Sequence, residues 1–303
     1  MKKVSVNILK QRSDFFRKVR DFFYRHDFIE IDTPSLVEYA STEPHLDPYE
    51  VITENGCTEY LITSPEYAMK KVLGMGCEKV FELSHAWRSK EKGPWHTREF
   101  IMLEWYWVGA ELDVLIQMSI EFIKECLGEL KNVHILTVEE WFKKQYGCGC
   151  DTNDLESILK DKDVDCEGMS YEEKFFRCFL PTESHFKSMG LVVLKDYPEP
   201  LKAYSRVVDG KAKRFEMYLH GVEIANAFFE EKSPEALNKI IDTEMNERKE
   251  LGKNPIGKDI EFVHCLEKIE KPISGIALGL DRLFALSLGY QGLELSCLYE
   301  QNI

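Results

Sequence analysis

Residues 271 to 289 constrain this chain more than any other stretch: Lys-Pro-Ile-Ser-Gly-Ile-Ala-Leu-Gly-Leu-Asp-Arg-Leu-Phe-Ala-Leu-Ser-Leu-Gly. The apolar run from Gly275 to Leu280 predicts a short buried strand. Asp281 is placed to cap a following helix, Leu283, Phe284 and Leu288 give that helix an apolar face, and Gly289 can end it. Arg282 then falls in the first turn, just past the end of a buried strand. A guanidinium there is pre-placed to fork onto a polyphosphate. Taken alone, the stretch is equally an ordinary strand–helix junction with a surface Arg. The rest of the chain has to decide.

With 303 residues, 44% of them hydrophobic, the chain can bury a sizeable core. A formal net charge of −14 disfavours a dedicated nucleic-acid module, which needs a Lys/Arg excess, and makes tRNA a poor candidate partner. The first residues lack the apolar core of a signal peptide, and no run reaches the length of a membrane span. The nine cysteines are odd in number and scattered, which reads as reduced thiols in a cytoplasmic protein. Cys148 and Cys150, with Cys166 and Cys178 downstream, lack the paired spacing of a zinc site.

Taken in order, residues 11 to 27 predict an amphipathic helix with Phe15, Phe16, Val19, Phe22 and Phe23 on one face. A short strand from Ile29 ends at Pro34, and residues 35 to 53 read as loop. Ser64 suits a helix N-cap and Pro65 the first helical position, which puts Glu66 in the first turn. Lys79 to Arg88 and Glu99 to Trp107 read as two strands. Alternation puts Phe100, Met102, Glu104 and Tyr106 on one face of the second. Burying Glu104 unpaired would be costly, so either it has a cationic partner or that face is a solvated pocket. Leu112 to Leu130 predicts another amphipathic helix; from about 131 to 200 the pattern weakens.

Arg214 to Phe229 reads as a hairpin turning at His220-Gly221. A two-residue loop sets Glu216 opposite Ala225 and Tyr218 opposite Glu223, so Glu216 and Glu223 share a face. Two carboxylates that close repel unless a cation lies between them, and Mg²⁺ with a phosphate is a natural bridge. The same parity sends Asn226 to the other face unless a bulge intervenes. Ser233-Pro234 opens a last long helix, to about Leu251.

Arg88 and Arg282 for phosphate, Glu216 and Glu223 for metal, and Phe100 as a platform for a base together resemble the class II aminoacyl-tRNA synthetases of the lysyl type. The resemblance runs from about residue 12 to 290. It includes a first motif ending at Pro34, a second from Phe81 to Tyr106, and the Gly-Leu-Asp-Arg of the third at Gly279 to Arg282. It implies an α+β fold, an antiparallel sheet flanked by helices. It further implies a single catalytic domain over 1–303 with a helical or irregular insertion at about 131–200, and a homodimer.

The resemblance also implies roles. Arg88 contacts the α-phosphate and the substrate carboxylate, His96 lies near the nucleotide, Phe100 stacks on adenine, and Arg282 binds the γ-phosphate. Glu216 and Glu223 hold Mg²⁺ and the phosphates of ATP. Glu66 takes the amino group near the reacting carboxylate, Asn226 holds that carboxylate, and Glu104, Tyr106 and Glu230 take a distal ammonium. The family's usual Arg-x-Glu is replaced by Arg88-Ser-Lys90-Glu91, which leaves Glu91 to make the adenine contact through a shifted loop.

The motifs begin almost at residue 12, leaving no room for an N-terminal OB-type anticodon-binding barrel. In this the chain is similar to the elongation factor P lysyltransferases, which resemble synthetases that charge a protein. They activate (R)-β-lysine with ATP and pass it to a lysine of elongation factor P. Ala277 stands where lysyl-tRNA synthetases have Gly, and its methyl group could suit a β-amino over an α-amino group. The alternatives are a stand-alone enzyme that charges RNA or a small-molecule amine, and a module that binds ATP and lysine without turnover.

Overall fold

The aromatic stripe of the first helix is real, and the helix is longer than its periodicity predicts. α1 spans Val6–Arg25 because Ser5 caps it, accepting a hydrogen bond from the Ile8 amide. The structure, a computed structural model, describes residues 5–293. The chain divides into two units, Met1–Leu127 with Glu230–Ile303, and Gly128–Phe229.

The first unit continues with β1 (Ile29–Glu30), β2 (Leu36–Val37), β3 (Tyr49–Ile52), β4 (Thr58–Leu61), α2 (Glu66–Gly74), β5 (Lys79–Trp87), β6 (Glu99–Val108) and α3 (Leu112–Leu127). β1 pairs parallel with β5, and β5 pairs antiparallel with β6. Phe15, Val19, Phe22 and Phe23 of α1 are buried. Phe23 stacks on Phe81 of β5 at 4.7 Å between centroids and meets Trp105 of β6 edge-on at 5.1 Å. Phe22 and Phe122 of α3 close the same cluster. Phe23→Ala removes a fully buried ring that touches five other aromatic side chains. It is expected to destabilise the protein by about 3–5 kcal/mol, read from chemical denaturation.

Two sequence expectations change here. Residues 35 to 53 are not all loop, since β2, β4 and β3 form a separate three-stranded antiparallel sheet. α2 starts one residue late: Pro65 is its N-cap, and the Ser64 hydroxyl only accepts from the Glu66 amide at 3.4 Å. Glu66 stays in the first turn.

The second unit carries β7 (Val133–Thr137), α4 (Val138–Tyr146), α5 (Thr152–Asp161), α6 (Tyr171–Phe179), β8 (Leu191–Pro198), β9 (Val207–Val208), β10 (Lys211–Leu219) and β11 (Val222–Phe229). The weak pattern from 131 to 200 thus hides three helices, two of them held by capping boxes at Thr137/Glu140 and Ser170/Glu173. Cys150 and Cys178 are buried in their core, where burial pushes both thiols up to about 11.

β10 and β11 turn at His220 and Gly221, both at positive φ, with Leu219 opposite Val222. Between Met217 and Tyr218 the register slips, because Met217 faces Ala225 while Tyr218 faces Glu223. Ile224 is therefore the extra residue of a β-bulge. Glu216 consequently faces Asn226, not Ala225, and Asn226 is turned onto the face that carries Glu216 and Glu223.

The first unit resumes with α7 (Pro234–Glu250), α8 (Ile260–His264), β12 (Ile273–Gly279) and α9 (Leu280–Ser287). β12 pairs antiparallel with β6, and Ser233 caps α7 as its sequence implies. Asp281 does not cap α9, because Gly279 occupies that position. The Asp281 carboxylate instead accepts from the Ile101 amide at 2.7 Å and ion-pairs with Arg12 at 2.6 Å. It ties the third motif to α1 and β6.

Candidate active site

Glu104 and Tyr106 are two apart on β6 and point to one face, with Ala277 and Gly275 of β12 directly across the ladder. Glu66 and Lys70 come from the first two turns of α2, and Glu230 follows β11 with its amide bonded to the Ile273 carbonyl. Glu104 and Glu230 are each 1% exposed. The Tyr106 hydroxyl donates to Glu104 Oε1 at 2.6 Å, while Glu104 Oε2 has no hydrogen-bond partner among the described residues. Glu230 Oε1 is in the same state.

Burial pushes the Glu104 carboxyl well above its ordinary value, and the nearby Glu66 charge adds to the effect. Burial raises Glu230 to about 7 against the pull of Lys70. A built Cβ on Gly275 would meet the Tyr106 ring and come within 2.8 Å of Glu230 Oε1, so no larger residue fits there without a shift. Glu82 of β5 faces Glu104 in register and accepts from both the amide and the hydroxyl of Thr33 at 3.1 Å.

The basic residues gather in the loop between β5 and β6 and at the start of α9. The Arg88 guanidinium lies 5.2 Å from the centroid of the half-buried Phe100 ring. Glu91 reaches Arg88 at 3.8 Å and His96 at 3.5 Å. Lys90, which replaces the family's Glu, turns away to ion-pair with Asp47 at 3.1 Å. Burial and the Arg282 charge push the His96 imidazole below its ordinary value, which favours the neutral ring. Arg282 donates from Nε to the Trp95 carbonyl at 3.0 Å, which sets the plane of its guanidinium.

In the second unit, Glu216 already has a cation. Arg214, two residues earlier on the same strand face, donates to Glu216 Oε1 at 2.5 Å and to Asn226 Oδ1 at 3.0 Å. Tyr197 and Tyr218 donate to Glu216 Oε2 at 2.6 and 2.5 Å. Three donors occupy most of a carboxylate's acceptor sites. Glu223, by contrast, is exposed. Among the described residues no three His, Cys, Asp or Glu side chains gather as a closed metal cage. A Mg²⁺ on this face would meet one carboxylate already held by Arg214 and one exposed one, and would draw the rest of its oxygens from phosphate and water.

Sequence reasoning named Glu66, Glu104, Tyr106 and Glu230, and these do cluster; it also grouped Arg88, Glu91, His96, Phe100 and Arg282, which lie together in the first unit. It missed Lys70, Glu82, Arg214, Tyr197 and Tyr218. Arg214 was findable, since strand alternation puts it on the same face as Glu216.

Residues 1–301 match the family described as tRNA synthetases class II (D, K and N). A protein of Aquifex aeolicus named elongation factor P (R)-β-lysine ligase homologue is 33% identical over 285 residues, covering 92% of this chain and 94% of that one. The elongation factor P (R)-β-lysine ligases of Vibrio atlanticus and Vibrio cholerae are 28% and 29% identical over 96% and 95% of this chain, and 94% of each relative is covered. Among the described residues no helix is long and apolar enough to cross a membrane.

Proposed function

The chain belongs to the class II tRNA synthetase family of the D, K and N types, and from that premise we propose that it activates (R)-β-lysine or lysine with ATP and transfers it to a lysine side chain of elongation factor P. The acid pocket carries this reading. Two buried carboxylates each keep an oxygen without a hydrogen-bond partner among the described residues, a costly arrangement that an arriving ammonium would relieve. The acceptor comes from the names of the relatives.

In this reading Glu104, Tyr106 and Glu230 take the distal ammonium, Glu66 the amine near the carboxylate, and Arg88 the carboxylate itself. A carboxylate oxygen attacks the α-phosphorus of ATP, the bond to the β-phosphate breaks, and pyrophosphate leaves. The acyl-adenylate then meets the neutral ε-amine of the acceptor; an amide forms, AMP leaves and the amine gives up a proton. Arg88 and Arg282 meet the phosphate charge, Phe100 supports adenine, and His96 and Glu91 lie beside the nucleotide. Mg²⁺, held by Glu223 and Glu216, would screen the phosphates. The protein works as a cytoplasmic homodimer built on α1.

The test is ATP–pyrophosphate exchange with (R)-β-lysine and L-α-lysine, followed by intact mass of elongation factor P. Exchange favouring β-lysine and a mass gain of one lysyl group on the acceptor are expected. Silence with both amino acids, or label in RNA or a small amine instead of protein, overturns the proposal. Ala277→Gly removes a methyl group from the strand directly opposite Glu104. It is expected to shift the ratio of kcat/KM toward α-lysine by about tenfold or more, the scale of one methylene in a pocket.

A further inference from the structure

Lys70 is the cation of the acid pocket that nothing above uses. Its side chain is 1% exposed. Nζ lies 2.6 Å from Glu66 Oε1 and 2.7 Å from Glu230 Oε2, bridging the carboxylate proposed for the near amine and one proposed for the distal ammonium. The ring of Tyr106 from β6 and the ring of Phe262 from α8 lie 5.8 and 5.7 Å from Nζ and keep water from it. A surface lysine on a helix does not adopt this geometry.

We propose that Lys70 is a resident ammonium that positions Glu66 and Glu230 and tunes the pocket to substrates carrying two ammonium groups. The inference rests on the pocket being the amine site proposed above. Charge counting supports it. Full ionisation of Glu66, Glu104 and Glu230, less Lys70, would leave a net −2, which burial resists in the empty pocket by raising the Glu104 and Glu230 carboxyls. A diamino acid brings two positive amines and closes that balance; an amino acid with one amine leaves a buried carboxylate unmatched, which is strongly unfavourable. Without Lys70 the pocket would carry −3, and even a diamino acid would leave one charge over.

The neighbours agree. Glu66 and Glu230 hold Lys70 protonated against burial, raising it above its ordinary value. Lys70 in turn pulls down Glu230 and Glu104, which burial raises. Among the described residues, the titratable groups next to these include Tyr106, raised well above its ordinary value by burial, Glu82 of β5, raised by burial, and the Cys265 thiol after α8, raised to about 11, with the Lys71–Asp259 ion pair beyond it. Lys71 is matched by Asp259 and Glu261 at 2.8 and 2.9 Å.

Lys70→Met and Lys70→Arg are compared with wild type by two readouts. The first is a carboxyl-carbon NMR titration of glutamate without substrate, with Glu230 assigned from Glu230→Gln. The Glu230 midpoint is expected to rise by at least one pH unit in Lys70→Met and to return toward wild type in Lys70→Arg. The second is KM for β-lysine against pH. Lys70→Met is expected to raise KM at neutral pH by on the order of tenfold or more, with the deficit shrinking about tenfold per pH unit as pH rises toward the new midpoint. A purely packing role would leave the midpoint in place and change KM by a pH-independent factor; either result overturns the proposal. If wild type shows no exchange with either lysine, the proposed function fails, and the substrate-free titration still decides the role of Lys70. If Lys70→Met does not fold, nitrogen NMR of wild-type lysines decides instead: a Lys70 still charged at about pH 11, where an ordinary lysine has lost most of its charge, supports the proposal, and one that has lost its charge there overturns it.

Discussion

Arg282→Ala is expected to lower ATP–pyrophosphate exchange by on the order of 10²–10³-fold while the protein stays folded. The guanidinium projects from the first turn of α9, where the positive end of the helix dipole adds to its own charge. Its Nε donates to the Trp95 carbonyl, so the fork is oriented before substrate arrives. In the transfer step negative charge moves onto the bridging oxygen and the departing pyrophosphate, and a pre-aimed cation stabilises that state more than bound ATP. The loss should therefore appear in kcat as well as in kcat/KM. Arg282→Lys keeps the charge but loses the fork, and should fall between the two. A variant with normal kcat and a raised KM for ATP alone would assign Arg282 to ground-state binding and remove it from the transition state. An unchanged melting temperature separates these results from unfolding, and Asp281, left intact, keeps its ties to α1 and β6.

Much of this was legible in the sequence, and the reasons differ from element to element. Strand alternation placed Glu104 and Tyr106 together correctly, because β6 is regular over its whole length. The hairpin turn was equally legible, since His220-Gly221 supplies the two positive-φ positions that a tight loop needs. The bulge at Ile224 was not. No single residue announces it, yet it reverses parity and moves Asn226 across the sheet. Asp281 looked like a helix cap because Asp commonly is one; its carboxylate went instead to the Ile101 amide and to Arg12, partners more than a hundred residues away in sequence. Lys70 was hidden by its residue type. The available signal was spacing: Glu66, Lys70 and Leu73 follow the helical repeat, and Leu73 is fully buried. A lysine in line with a buried leucine and one turn from a glutamate is a candidate for an internal ion pair.

Glu104→Gln is expected to raise melting temperature and cripple substrate use at once. The carboxylate is 1% exposed, and among the described residues only its Oε1 has a hydrogen-bond partner, the Tyr106 hydroxyl. Glutamine is nearly isosteric, and its carbonyl can still accept from Tyr106. The change removes a carboxyl whose ionisation burial opposes, and an amide avoids that cost at every pH, so stability should rise. With a lysine-type substrate the balance reverses, because the ammonium loses an anionic partner in a dry site. Truncating such a pair costs about 2–5 kcal/mol, so kcat/KM for β-lysine should fall by on the order of 10²-fold, mainly through KM. Wild type should show the related effect through pH. Glu230 is held up to about 7, so at pH 7 it is partly protonated in the empty pocket. The ionised form is the one that binds an ammonium, and affinity is therefore lost as pH falls through about 7, not as it rises. Kcat/KM should drop by about tenfold for each pH unit below that value. In Glu230→Gln the part of this pH dependence centred near 7 should vanish along with most of the affinity. A profile that stays flat in wild type between about pH 5 and 8, or a Glu104→Gln variant with unchanged KM, would move the ammonium out of this pocket.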